Sequence, residues 1–174
     1  TFEGGGKAAV GFYHYSDRRF ETEVRHQHLA FRGFTDAAVL AEPKDKFALA
    51  ETMFENCLFE ECRRGVSFTQ FNDYDYTFDG CEFRTCDTGI ECIRGNFYAR
   101  NCHFEGSRVV DILSAPEHGS SVRRCTSVGS NAFLKYQQIV SPMTVQDCHV
   151  SGWKSSEGAI TLAGAPVILF DCSF

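Results

Sequence analysis

Four ionisable side chains carry most of the chemistry this sequence offers: Glu91, Asp111, Lys135 and His118. If Glu91 and Asp111 lie on neighbouring strands, their carboxyl groups sit roughly 5 Å apart at the backbone. Like charges that close raise one pKa, which is how a general acid for glycoside cleavage is made. Lys135, Arg94 or Arg108 would then neutralise a uronate or serve as the base of a lyase. His118, in Ser114-Ala-Pro-Glu-His-Gly119, is of the residue type that shuttles protons near neutral pH. Ser67 and Thr161 extend the same outward column as substrate contacts. The stretch Phe71-Asn-Asp-Tyr-Asp-Tyr76 adds Tyr74 to stack on a sugar ring, and Asn72, Asp73 and Asp75 as hard oxygen ligands for calcium. The same residues also read without chemistry: Glu91, Asp111 and Lys135 as a solvated charge ladder, and the Asn/Asp run as an ordinary turn.

Positioning these groups requires a repeat, and the sequence has one. Six segments align on Cys57, Cys81, Cys102, Cys125, Cys148 and Cys172, at steps of 24, 21, 23, 23 and 24 residues. Positions three before and two after each cysteine are mostly apolar. A flat strand cannot place −3, 0 and +2 on one face, because side chains alternate with period two. A one-residue left-handed bend at −1 resolves the conflict. That position holds Asn56, Gly80, Asn101, Arg124, Asp147 and Asp171, and all but Arg124 are residue types that tolerate such geometry. A second column follows at Cys62, Cys86, Gly106, Gly129 and Gly152. A third strand then begins near Gly65, Gly89, Val110, Phe133 and Ala159.

Taking Val66/Phe68, Ile90/Cys92 and Val110/Ile112 as inward leaves Ser67, Glu91 and Asp111 outward on consecutive coils. Leu29 to Phe34 and Ala38-Val39 form a weaker upstream copy, and Phe47 to Glu51 could make a helical turn. The chain is therefore a single all-β domain over residues 1–174, a parallel β-helix solenoid of about 23 residues and three short strands per coil. Residues 1–53 are less regular coils with longer loops, and 54–174 are regular.

Coils of three strands with an Asn/Asp/Gly corner and an internal ladder resemble the right-handed, single-stranded parallel β-helix of the pectate-lyase-like superfamily. That resemblance implies that the corner is the family's second turn and that the third strand of each coil belongs to its first sheet, whose outer face floors the substrate cleft. It implies a carbohydrate-active protein, outside the cell or in the periplasm, acting on polysaccharide as a lyase or glycoside hydrolase. A structural or adhesive spike and a non-catalytic sugar-binding module are the alternatives. The resemblance is to architecture: the Asn-Thr-Asp, Asp-Asp, Gly-His-Gly and Arg-Ile-Lys motifs of the pectin hydrolases are absent. Beyond calcium, no cofactor is implied. The leucine-rich repeat has a similar period but needs far more than 8 Leu, whereas this chain has 17 Phe.

Nine cysteines at spacings such as Cys57-x4-Cys62 do not suit zinc, and an odd number leaves one unpaired within a monomer. They read as small buried thiols. A net charge of −6 argues against a broad nucleic-acid surface. The apolar runs are too short for a membrane helix. Phe174 falls inside a core strand, so further coils of a longer chain, or another subunit, are expected to cover that end.

Overall fold

The computed structural model describes residues 1–14, 23–42, 50–69, 73–137, 141–164 and 166–174. Among them there is no helix. The chain winds through about six turns of about 24 residues, laying down three all-parallel sheets of seven strands each. The first sheet stacks Val10–His14, Ala37–Ala41, Arg64–Phe68, Thr88–Cys92, Val110–Ser114, Leu134–Tyr136 and Ile160–Leu162. The second runs from Arg25–Gln27 through Met53–Glu55, Tyr76–Asp79, Phe97–Arg100, Ser120–Arg123 and Met143–Gln146 to Val167–Phe170. Phe2–Glu3, Ala30–Arg32, Leu58–Glu60, Glu82–Arg84, His103–Glu105, Thr126–Val128 and His149–Ser151 make the third.

The left-handed bend sits at every predicted corner between the second and third sheets. Asn56, Gly80, Asn101, Asp147 and Asp171 have φ between 49° and 62°, and so does Arg124 at 51°. A second corner column, Gly33, Glu61, Thr85, Gly106, Gly129 and Gly152, also has positive φ. This corrects one alignment. The glycines are counterparts of Glu61 and Thr85, while Cys62 and Cys86 continue upward as the buried Ser107 and Ser130. From Cys57 to Cys125 each copy therefore has the same five-residue step from the ladder thiol to the buried side chain that follows the second corner.

With two bends per coil, −3, 0 and +2 all point inward. The core is a set of vertical ladders. Phe2, Phe31, Phe59, Phe83 and Phe104 stack face to face at 4.8–5.4 Å, close to the strand spacing itself. His26, Phe54 and Phe78 form a second stack at 4.7 and 5.3 Å. All nine cysteines are unpaired thiols, eight of them buried. Several donate to a carbonyl of the coil beneath, as Cys81 does to Phe54 O at 3.3 Å. Burial, and then the field of Asp73, push the Cys92 thiol well above its ordinary range.

Large and small side chains compensate across the core. A Cβ on Gly65 would lie 2.8 Å from the Phe83 ring, and one on Gly89 would lie 3.1 Å from Phe104, so the first sheet stays bare where the third supplies phenylalanine. One coil later the exchange reverses: Ser127 follows Phe104 in the third sheet, and Phe133 enters from the first, edge-on to Phe104 at 6.3 Å. Asp111 stands at that crossover. At the last rungs Leu162, Ile168, Leu169, Phe170 and Phe174 are 41–54% exposed. The proposed helical turn at Phe47 to Glu51 falls largely outside the described residues.

Candidate functional site

The expected pair of carboxylates does not form. In the first sheet Glu91 is level with Ser67 below and Leu113 above, and the column continues through Lys135 to Thr161. Asp111 lies next to Gly89 instead. Two one-residue offsets cause this: Ser107, not Gly106, is the counterpart of Cys86, and the Asp87 carbonyl accepts both Val109 N–H and Val110 N–H, a bulge that adds a residue to that coil, so Ile112, not Val110, falls opposite Ile90.

Asp111 is fully buried. Its carboxylate accepts Ser127 Oγ–H at 2.5 Å and Ser130 Oγ–H at 2.6 Å. Burial raises its pKa to about 6, against the lowering effect of the serine hydroxyls. It is an interior group with no path to a substrate on the outer face, which removes it from the predicted acid–base pair.

Glu91 does face outward, but it is spoken for. Arg64 Nη1 reaches Glu91 Oε2 at 2.6 Å and Ser67 Oγ at 3.0 Å, Ser67 donates to the same carboxylate at 2.5 Å, and Arg64 Nη2 holds Asp36 at 2.6 Å. Burial works against the Arg64 charge, but its bonds to Glu91 and Asp36 outweigh that and hold the guanidinium firmly protonated. Leu113 separates this cluster from the half-buried Lys135 by a rung. Thr161 is one rung further, its hydroxyl buried without a partner among the described residues. Arg108 is bound to Asp87 at 2.5 Å and to the Thr85 carbonyl at 2.7 Å. The outer face of the first sheet is thus a braced salt-bridge cluster broken by a leucine.

Two other sequence candidates do come together, on the turns between the first and second sheets. The rings of Tyr74 and His118 meet edge to face, with centroids 5.0 Å apart, across 44 residues of chain. With Asp75 and Asn96 they line an open groove of about 390 Å³. Gly95 and Asn96 tie the groove together. The Gly95 carbonyl accepts Glu117 N–H at 3.1 Å and His118 N–H at 3.3 Å, while Asn96 N–H donates to Asp73 O at 3.2 Å. Gly95 has φ 71°, and any Cβ there would run into the Asp73 carbonyl.

On the floor, Asn96 exchanges two hydrogen bonds of 2.9 Å with Asp75 and donates to Tyr98 Oη at 3.0 Å. Desolvation and then Glu117 raise the Tyr74 pKa, and desolvation and then Asp75 raise that of Tyr98, so both phenols stay protonated donors at neutral pH. Arg94 approaches Glu117 at 4.0 Å. Asn96 and Tyr98 were not among the sequence candidates. Asn96 directly follows a glycine, a turn signal, but nothing in the chain reports that its side chain is 4% exposed and bonded to Asp75.

For calcium, Asn72 lies outside the described residues. Asp73 is buried and Asp75 is bonded to Asn96. Among the described residues no three carboxylate, histidine or cysteine side chains converge as a cation site. Nor is any helix long and apolar enough to cross a membrane.

The fold therefore defines a parallel β-solenoid with a polar, aromatic-edged groove on one row of turns. No protein family, curated protein or solved structure matches the chain.

Proposed function

We propose that this β-helix is a polysaccharide-binding protein that seats a sugar in the groove of Tyr74, Asp75, Asn96 and His118. The carrying observation is the aromatic corner itself: Tyr74 and His118 meet at 5.0 Å beside a reciprocally bonded Asp75–Asn96 pair. An exposed ring beside fixed donors and acceptors suits a saccharide, whose faces are apolar C–H and whose edges are hydroxyls. The protonated phenol of Tyr74 acts as a donor in this reading. Polysaccharide reaches proteins mostly outside the cell, and an extracellular or periplasmic location belongs to the same proposal.

Cleavage is a second reading, favoured by the imidazole of His118 at the rim of the groove. It needs an acid–base set other than Glu91 and Asp111. The test is binding of neutral and acidic oligosaccharides by calorimetry, with product formation followed in the same samples, with and without Ca²⁺. Tyr74→Ala is expected to weaken binding by about tenfold or more, an amount typical of losing one stacked aromatic contact. Failure of every glycan to bind, or undiminished binding by Tyr74→Ala, overturns the groove assignment. Product that disappears in His118→Ala establishes the second reading over the first.

A further inference from the structure

Arg124 occupies a corner at φ 51° where every other described coil of the regular region has Asn, Gly or Asp. A long cationic side chain gains nothing locally from that conformation. Next to it, Arg123 lies in register directly above Arg100 on the outer face of the second sheet, an arrangement of like charges that costs stability. Arg100 is paired with Asp79 at 3.0 Å, whereas Arg123 and Arg124 are exposed and have no ion pair among the described residues. Tyr98, in register with Ser121, borders a shallow recess of about 260 Å³ that Arg100, Arg123 and Ala99 complete. Asp79 bounds the strip one rung below and Gln146 one rung above. Two local costs thus concentrate positive charge on a chain whose net charge is −6.

We propose that Arg100, Arg123 and Arg124, edged by Tyr98, bind the acidic groups of a polyanionic polysaccharide lying along the second sheet. Successive rungs are about 4.8 Å apart, close to the advance of one sugar unit in an extended glycan, so guanidinia on adjacent rungs meet charges on adjacent sugars. Guanidinium forks pair bidentately with sulfate esters and with carboxylates alike. The strip lies on a different sheet from the salt-bridge cluster of Arg64, and of the residues around the groove of Tyr74 and His118 it shares only Tyr98.

The experiment measures affinity of the intact chain for short heparin oligosaccharides, for the same oligosaccharides after desulfation, and for neutral dextran, across a range of salt. Single-stranded DNA serves as a non-glycan polyanion. Heparin is expected to bind with strong salt dependence and dextran not at all. Retention of affinity after desulfation assigns the site to carboxylates, and its loss assigns it to sulfates. In Arg123→Gln/Arg124→Asn affinity is expected to fall by about tenfold or more, and the slope of log affinity against log salt to shrink by about two.

Arg124→Asn alone is expected to raise the melting temperature, since Asn suits the corner, while weakening heparin binding. Tyr74→Ala is expected to leave heparin affinity unchanged, which separates this proposal from the groove. Unchanged affinity in the double variant, dextran binding as tightly as heparin, or equal binding of DNA each overturns it.

Discussion

Asp111→Asn isolates the most unusual group in the core. In the folded chain the carboxyl titrates at about 6 instead of 3.8, because burial disfavours the anion more than two serine hydroxyls favour it. The sign follows from which state gives up its proton first. Below pH 3.8 the group is protonated folded or unfolded and its contribution is fully present. Between 3.8 and 6 the unfolded chain releases the proton while the folded chain keeps it, so stability falls as pH rises. Above 6 the loss is complete. At about 1.4 kcal/mol per pKa unit the loss is about 3 kcal/mol.

Asparagine has nearly the same shape and no charge, and the Ser127 and Ser130 hydroxyls can rotate to meet its amide. Urea unfolding of both proteins at pH 4, 5, 6 and 7.5 is the assay, and the difference between the curves cancels the carboxylates they share. Near pH 4 the two should agree within about 1 kcal/mol, the worth of one neutral hydrogen bond. At pH 7.5 the variant should be more stable by about 2–3 kcal/mol. A difference that stays flat with pH, or a parent protein that gains on the variant as pH rises, would refute a buried carboxyl at this position.

Two further outcomes test the architecture. Under native conditions a thiol reagent should label at most Cys172, the one cysteine only partly buried, and after denaturation all nine; labelling of the ladder thiols in the folded state would show that they do not face inward. Gly95→Ala should cost about 2 kcal/mol or more in urea unfolding, because φ 71° is unfavourable for alanine and its methyl group would press on the Asp73 carbonyl. It should also impair sugar binding more than Gly119→Ala, a site where an added Cβ meets nothing within 4 Å.

The winding of this chain was legible because it is written locally and repeatedly. Each corner needs one residue that accepts positive φ, each core slot needs one side chain of a given size, and both recur at nearly constant spacing from Cys57 to Cys172. Even Arg124, of the wrong type for its corner, takes the geometry its neighbours impose. The outward chemistry was less legible, since it depends on register. The corner at Gly106 and one bulged residue, Val109, together move Asp111 two places off the Glu91 column, and no local feature of Val-Val-Asp-Ile announces which carbonyl will accept two N–H groups. Glu91 is held by an arginine 27 residues earlier, and Tyr74 meets His118 because Gly95 draws two distant turns to one point. Spacing along the chain decided which residues stack, because a stacked rung is one period away. Which of them meet in the groove was decided only where turns of unequal length pack against each other, since that contact has no period for a sequence to display.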